Sequence, residues 1–320
     1  SRASSWPLAF SLSNRCCQHN HSFGFPYLTE GLFMATGDGG LAATIYAPCS
    51  VTARVGSGTH VTISSETHYP FAERISYRIT STSGPVGFPL YLRIPGWCAT
   101  PTVTVDGLQR GRSKHEHGYF RIDKHWQSGD TITLSLPMRV DVHRWTGNKN
   151  ALSVSRGPLT YSLRIPHEVV PVESRTHVTF DSKVKPIADS HAWPSFELLP
   201  TRPWNYGLEL EGLGAERARN TIAVEHGNWP QDDFPFAPHA SPVRLRAKGR
   251  RIPTWSTDDT GLCAPLPPSP VRSLEPEEEL ELIPMGTARL RISVFPEVKA
   301  VNPNRRSSAP RSSWSPGTAG

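Results

Sequence analysis

The chain has 320 residues, 37 % of them apolar, with 31 prolines, 25 glycines and a net charge of +6 from 34 basic and 28 acidic side chains. That length allows two domains of about 100–200 residues each, and the proline and glycine content favours short, turn-bounded segments over a helical protein. No apolar run reaches about 18 residues, which argues against a membrane-spanning helix.

Residues 1–21 show no periodicity. The opening "SRASSWPLAFSLS" is a poor match to a signal peptide, because its apolar core is short and holds Pro7. The first residue is Ser rather than Met, which fits a fragment or a processed chain. Next comes "RCCQHNHSFGFP", Arg15 to Pro26. Cys16, Cys17, His19 and His21 are all metal-ligand types, and a zinc ion would deprotonate the thiols. Their spacing argues against all four on one ion. Ligand pairs come from separated segments, so a metal shared by Cys16 and Cys17 needs partners elsewhere. Two ordinary thiols near a helix start are the plain alternative. The sequon Asn20-His21-Ser22 lies in the same stretch.

Over Ser22–Thr36, Phe25, Leu28, Leu32 and Phe33 recur at helical spacing, with Pro26 in the first turn and Gly37-Asp38-Gly39-Gly40 as the stop. From Leu41 the period changes to two. Strands are expected in "LAATIYAP", "THVTISSETHYPF", "ERISYRITS", "FPLYLRIP", "TVTVDG", "GYFRIDKHW" and "GDTITLSLP". The last two are joined by a turn at Gln127-Ser128-Gly129-Asp130. "MRVDVHRW", "ALSVSRGP" and "PLTYSLRI" continue the series. In "TITLSLP", Ile132, Leu134 and Leu136 share one face. Short strands at about 8–12-residue spacing with turns between them indicate sandwiches or jelly rolls.

Residues 166–240 are less regular and hold Trp193, Trp204, Tyr206 and Trp229, with "LELEG" as a strand. "PVRLRAKGRRIP", "ELELIPMG" and "ARLRISVFP" read as further strands. Residues 298–320 read as a disordered tail. The positive charge raises a polyanion partner. However, Val243, Leu245 and Ala247 alternate with Arg244, Arg246 and Lys248, which is a strand with one wet face and not a nucleic-acid patch. "EPEEELEL" reads as a solvated strand edge.

The five cysteines, Cys16, Cys17, Cys49, Cys98 and Cys263, are odd in number and irregular in spacing, so no disulfide framework is expected. A reducing compartment, or one metal-bound pair plus buried free thiols, accounts for them. His60, His68, His125 and His143 fall in strands or turns, and His115-Glu116-His117 reads as a charged hairpin tip. Glu66, Glu73 and Asp123 are strand carboxylates without a visible partner. No G-x-S-x-G, P-loop or dinucleotide fingerprint is present. Trp97, Trp126 and Trp145 read as core, since aromatic residues dominate sandwich interiors.

Taken in order, several phrases resemble glycoside hydrolase family 127, the non-reducing-end β-L-arabinofuranosidases. They are "CCQHNHSFGFPYL", "GDGGLAATIYAPCSV", "ETHYPF", "FPLYLRIPGW", "GYFRIDKHWQSGDTITLSLPM", "RGPLTYSLRI", "WNYGLEL", "PVRLRAKGRRIPTW", "LPPSPV" and "IPMGTARLRISVFP". They span most of residues 14–297. The resemblance implies an all-β chain of two jelly-roll or β-sandwich domains, preceded by the last helix of an (α/α)6 barrel that the chain lacks. Residues 1–40 would be the barrel remnant. Residues 41–145 with 285–297 would form one sandwich, and 146–284 the other.

The same resemblance implies a zinc-thiolate mechanism. Cys16 would be nucleophile and zinc ligand, and Cys17 a zinc ligand. The remaining ligands, from a Glu-x-Cys stretch, and an acid/base Glu would lie upstream. His19 and His21 receive no role. A twelve-helix barrel needs roughly 200 residues, whereas only 40 precede the first expected strand. The expectation is therefore a soluble piece of a carbohydrate-active enzyme for L-arabinofuranoside-type glycans, inactive alone. A non-catalytic carbohydrate-binding or scaffold module is the alternative.

Overall fold

The structure is a computed structural model that describes residues 20, 23–110, 118–172, 195–210, 220–258 and 262–300. Helix α1 (Gly24–Glu30) is shorter than the apolar spacing predicts. It ends at Gly31, whose N–H bonds to the Tyr27 carbonyl at 3.0 Å. Glycine is a poor helix residue. Beyond it the chain finds a better partner: β1 (Phe33–Ala35) pairs antiparallel with β2 (Leu41–Ala43). The Phe33 ring meets Tyr77 edge-on at 6.1 Å. Phe25 and Leu28, expected on a packed helix face, are 68 % and 49 % exposed.

The next strands are β3 (Cys49–Val55), β4 (Thr59–Thr67), β5 (Arg74–Thr82), β6 (Val86–Arg93), β7 (Thr102–Val105), β8 (Leu108–Arg110), β9 (Tyr119–Trp126) and β10 (Thr131–Ser135). Two sheets result, in the orders β1-β2-β6-β9 and β3-β4-β5-β10-β7-β8. The turn at Gln127–Asp130 therefore does not close a hairpin. It carries the chain from one sheet to the other, with Gly129 at φ 98° and the Gln127 N–H bonded to Asp130 Oδ2 at 2.9 Å. Positive φ is a conformation glycine enters without a Cβ penalty.

The two sheets share one core. Ile63, Ile75, Ile79 and Leu134 from one meet Leu90, Leu92 and Trp126 from the other, all without exposure. Each such aliphatic side chain contributes about 1.5–3 kcal/mol relative to leaving it in water. Trp126 satisfies its ring N–H on the Phe88 carbonyl at 2.9 Å. Ile132, Leu134 and Leu136 are buried, as their alternation predicts. Trp97 packs at this core's margin. Trp145 does not join a core; it is 48 % exposed, and its ring N–H bonds to Ser153 Oγ at 2.9 Å.

The second body is built on one large sheet. Its strands are β11 (Val140–Trp145), β12 (Ala151–Arg156), β13 (Leu159–Leu163), β16 (Tyr206–Leu208), β17 (Ala223–His226), β18 (Val243–Arg251) and β20 (Glu277–Pro284). The order is β11-β12-β13-β20-β18-β16, with β17 also on β18. Two small sheets pair β14 (His167–Val172) with β15 (Ser195–Pro200), and β19 (Val271–Ser273) with β21 (Val298–Ala300).

"ARLRISVFP" does not form the expected strand. Ile292 and Phe295 instead pack into the core of the large sheet, and Leu152 and Phe295 exchange backbone bonds at 2.7 Å. This segment, read as returning to residues 41–145, thus packs against the second core. Val298–Ala300, read as the start of a disordered tail, is strand β21. Residues 301–320 lie outside the described residues. Among the described residues no helix is long and apolar enough to cross a membrane.

Candidate functional site

Cys16, Cys17, His19 and His21 lie outside the described residues, as do His115, Glu116 and His117. Among the described residues no group of three or more His, Cys, Asp or Glu is placed to hold a metal ion. Cys49, Cys98 and Cys263 are free thiols on separate segments, and burial pushes each thiol's pKa up. A raised pKa keeps a cysteine protonated and unreactive. The remaining histidines are dispersed. His60 accepts from Arg54 Nε at 3.2 Å, and His143 sits edge-on to Trp145 at 4.3 Å.

The basic face of β18 is neutralised by its neighbours. Arg246 meets Glu225 at 3.0 Å, Lys248 meets Glu277 at 2.6 Å and Arg250 meets Glu209 at 2.8 Å. Arg164 and Arg244 both approach Glu281. Within the acidic stretch Glu277–Glu279 are exposed, as a solvated strand edge should be: β18 pairs with them on one side, and β13 joins β20 only at Leu282–Pro284. The ion pairs leave no free basic stripe on β18 of the kind that binds phosphate backbones.

A second polar group joins Asp38, Tyr91, Arg121 and Asp123 on β6, β9 and the turn before β2. Tyr91 Oη donates to Asp38 at 2.7 Å, and Arg121 reaches Tyr91, Asp38 and Asp123. The Thr36 and Tyr91 hydroxyls hold the Asp38 carboxyl below its usual range. Arg121 thus pairs with both carboxylates.

One feature with the shape of a site is a cleft of about 380 Å³ between the two bodies, bordered by His68, Phe71, Glu73, Arg156, His226 and Trp229. Its first wall is the β4–β5 connection. There the Phe71 and Ala72 N–H groups turn back onto the His68 carbonyl at 2.9 and 3.1 Å. This leaves His68 exposed and buries Phe71. The facing wall is the β17–β18 connection. Trp229 stacks on His68, with ring centres 3.9 Å apart and planes 5° apart, while Phe71 meets it edge-on at 5.9 Å.

The floor is an ion pair. Arg156, whose side chain is 5 % exposed, donates to Glu73 Oε1 at 2.7 Å and to the Met138 sulfur at 3.4 Å. Glu73 Oε1 also accepts the Met138 N–H at 3.0 Å. Gly157 makes this approach possible. It sits at φ +55°, and a Cβ there would meet Met138 Cγ and Sδ at 2.7 Å. Glu73 had no visible partner in the sequence because Arg156 is 83 positions away. No local motif announces the pair.

Glycoside hydrolysis by acid and base normally uses two facing carboxylates about 5–9.5 Å apart. Glu73 is the single carboxylate bordering this cleft among the described residues.

Comparison with known proteins places these features. Residues 40–138 match the family model described as "Beta-L-arabinofuranosidase, GH127 middle domain". No curated protein matches. Among solved structures, the chain is similar to a GH127 β-L-arabinofuranosidase from Geobacillus stearothermophilus T6, with 20 % identity, TM-score 0.57, and 90 % of this chain against 38 % of that one. It is also similar to the GH127 β-arabinofuranosidase BT3674, with 18 % identity, TM-score 0.59, and coverage of 91 % and 41 %. A third, described as a glycoside hydrolase, has 17 % identity, TM-score 0.57, and coverage of 92 % and 43 %. The chain therefore spans about two fifths of the length of the solved structures it matches.

Proposed function

We propose a function from the premise that this chain is a C-terminal portion of a glycoside hydrolase family 127 protein, with its middle domain at residues 40–138. In that reading the two β bodies are non-catalytic parts of a carbohydrate-active enzyme whose chemistry is completed by residues outside this chain. The supporting observation is the family match over residues 40–138, together with a fold likeness to GH127 enzymes of which this chain covers about two fifths. The jelly-roll form of the bodies and the origin of the helix ending at Glu30 as the last helix of an (α/α)6 barrel belong to this proposal; β1 and β11, assigned by the resemblance to the barrel remnant and to the first sandwich, instead pair in the first and second bodies.

Cys16 is proposed as nucleophile and zinc ligand, and Cys17 as zinc ligand, by resemblance alone. The described residues do not fit a zinc site, since Cys49, Cys98 and Cys263 are scattered and protonated. A thiolate at Cys16 would supply a nucleophile for retaining hydrolysis, and an acid/base carboxylate would have to come from outside this sequence. The substrate class is an L-arabinofuranoside-type glycan. The test is an assay of the purified chain with p-nitrophenyl β-L-arabinofuranoside, with and without added zinc. No release of p-nitrophenol is expected. Turnover that disappears in Cys16→Ser would overturn the non-catalytic reading.

A further inference from the structure

We propose that the cleft between the two bodies is a carbohydrate-binding subsite for one or two neutral sugar residues. The ligand class rests on the carbohydrate reading above; the site itself rests on geometry. A volume of about 380 Å³ lies at the lower end of the roughly 300–1,000 Å³ that small-molecule sites occupy. Part of its border is a packed aromatic group, with the exposed His68 stacked on Trp229 and Phe71 edge-on to Trp229. Its polar groups are a carboxylate and a guanidinium side by side, Glu73 and Arg156.

That combination suits a sugar, which presents C–H faces to rings and hydroxyl edges to paired donors and acceptors. Glu73 uses Oε1 for both described bonds, so Oε2 remains to accept from a hydroxyl. Arg156 carries five N–H donors, and its described bonds use two, one of them to a thioether. An anion fits less well, because Glu73 already cancels the Arg156 charge at 2.7 Å and would repel it. A metal ion fits less well again, because the bordering His and Glu side chains do not converge. The placement across two bodies means that an occupied cleft also ties them together.

The experiment is an NMR titration of the intact chain, following the tryptophan indole N–H signals. Methyl β-L-arabinofuranoside is one probe and inorganic phosphate the other. The sugar is expected to shift the Trp229 indole saturably, with a dissociation constant on the order of 1 mM, as a ligand of so few atoms allows. Trp229→Ala and His68→Ala should each weaken binding at least about tenfold, and Glu73→Gln about threefold. Trp229→Phe, which keeps a ring, should recover part of the loss and guards against a folding defect in the alanine variant. Trp145→Ala should leave binding unchanged. No saturable shift with the sugar overturns the proposal. Saturation by phosphate alone overturns it in favour of an anion site, and binding lost in Trp145→Ala but kept in Trp229→Ala places the site elsewhere. Glycoside hydrolysis measured on the same sample reports separately on the catalytic reading, which can fail while the cleft binds, or stand while it does not.

Discussion

Replacing Glu73 with alanine tests how the two bodies are joined. Arg156 is almost wholly buried, and apart from Glu73 its described acceptor is the Met138 thioether, which is weak. Removing one partner of a fully buried pair costs about 3–5 kcal/mol. Glu73 is itself 37 % exposed, so water screens part of the interaction and the ionic loss falls to about 1–2 kcal/mol. The Met138 N–H loses its acceptor as well, adding about 1 kcal/mol. The expected destabilisation is about 2–3 kcal/mol, which lowers the urea midpoint by about 1 M. Glu73→Gln keeps an oxygen for the Met138 N–H and should lose about half as much. Unfolding is followed by tryptophan fluorescence and by far-UV circular dichroism together, because coincident curves test all-or-none behaviour. A Glu73→Ala midpoint within about 0.2 M of the parent would refute the reasoning, since Arg156 would then be solvated without its partner.

Three further outcomes are expected. Gly157→Ala forces a Cβ into Met138 at a backbone conformation that side chains avoid, and should destabilise by about 1–3 kcal/mol; a double-mutant cycle with Met138→Ala should show coupling, and strict additivity would contradict the clash. Tyr161 Oη is buried without a hydrogen-bond partner among the described residues, so Tyr161→Phe should be neutral or stabilising by up to about 1 kcal/mol, and a clear loss of stability in urea titration would argue against this. Burial also pushes the Tyr161 hydroxyl up to about 12, from 10.0. The folded chain therefore keeps that proton where the unfolded chain releases it, and the associated stability, whole below pH 10.0, is lost as pH rises towards 12. The phenylalanine variant should show a shallower fall over that range. Finally, fluorescence anisotropy with duplex DNA at low salt should detect no saturable binding, because the β18 cations are paired; binding that weakens steeply with salt would show an unneutralised patch.

Much of the architecture was legible as sequence, for local reasons. Period-two alternation marks which residues of "TITLSLP" and "PVRLRAK" point inward, because a strand sends successive side chains to opposite faces. β3 is absent from the strands predicted above, although Cys49, Val51, Ala53 and Val55 alternate with the exposed Ser50, Thr52 and Arg54. The helix expected at Ser22–Thr36 stopped at Gly31 because pairing with Leu41–Ala43 satisfies the next backbone groups better. The acidic run at Glu275–Leu282 reads as a solvated edge because charge favours water, and Glu277–Glu279 are exposed there; the sequence does not show that β18 lies beside them, with Lys248 paired to Glu277.

The sequence by itself therefore determined the strand-rich class, the inward faces and the resemblance to a known family. All three depend on neighbours within a few residues, or on ordered phrases. Only the tertiary structure decided which strands share a sheet, that residues 290–297 pack on the second core, and that a cleft exists at all. Glu73 and Arg156, or His68 and Trp229, are far apart along the chain, and only packing the two bodies together closes the distance. No local periodicity carries that information.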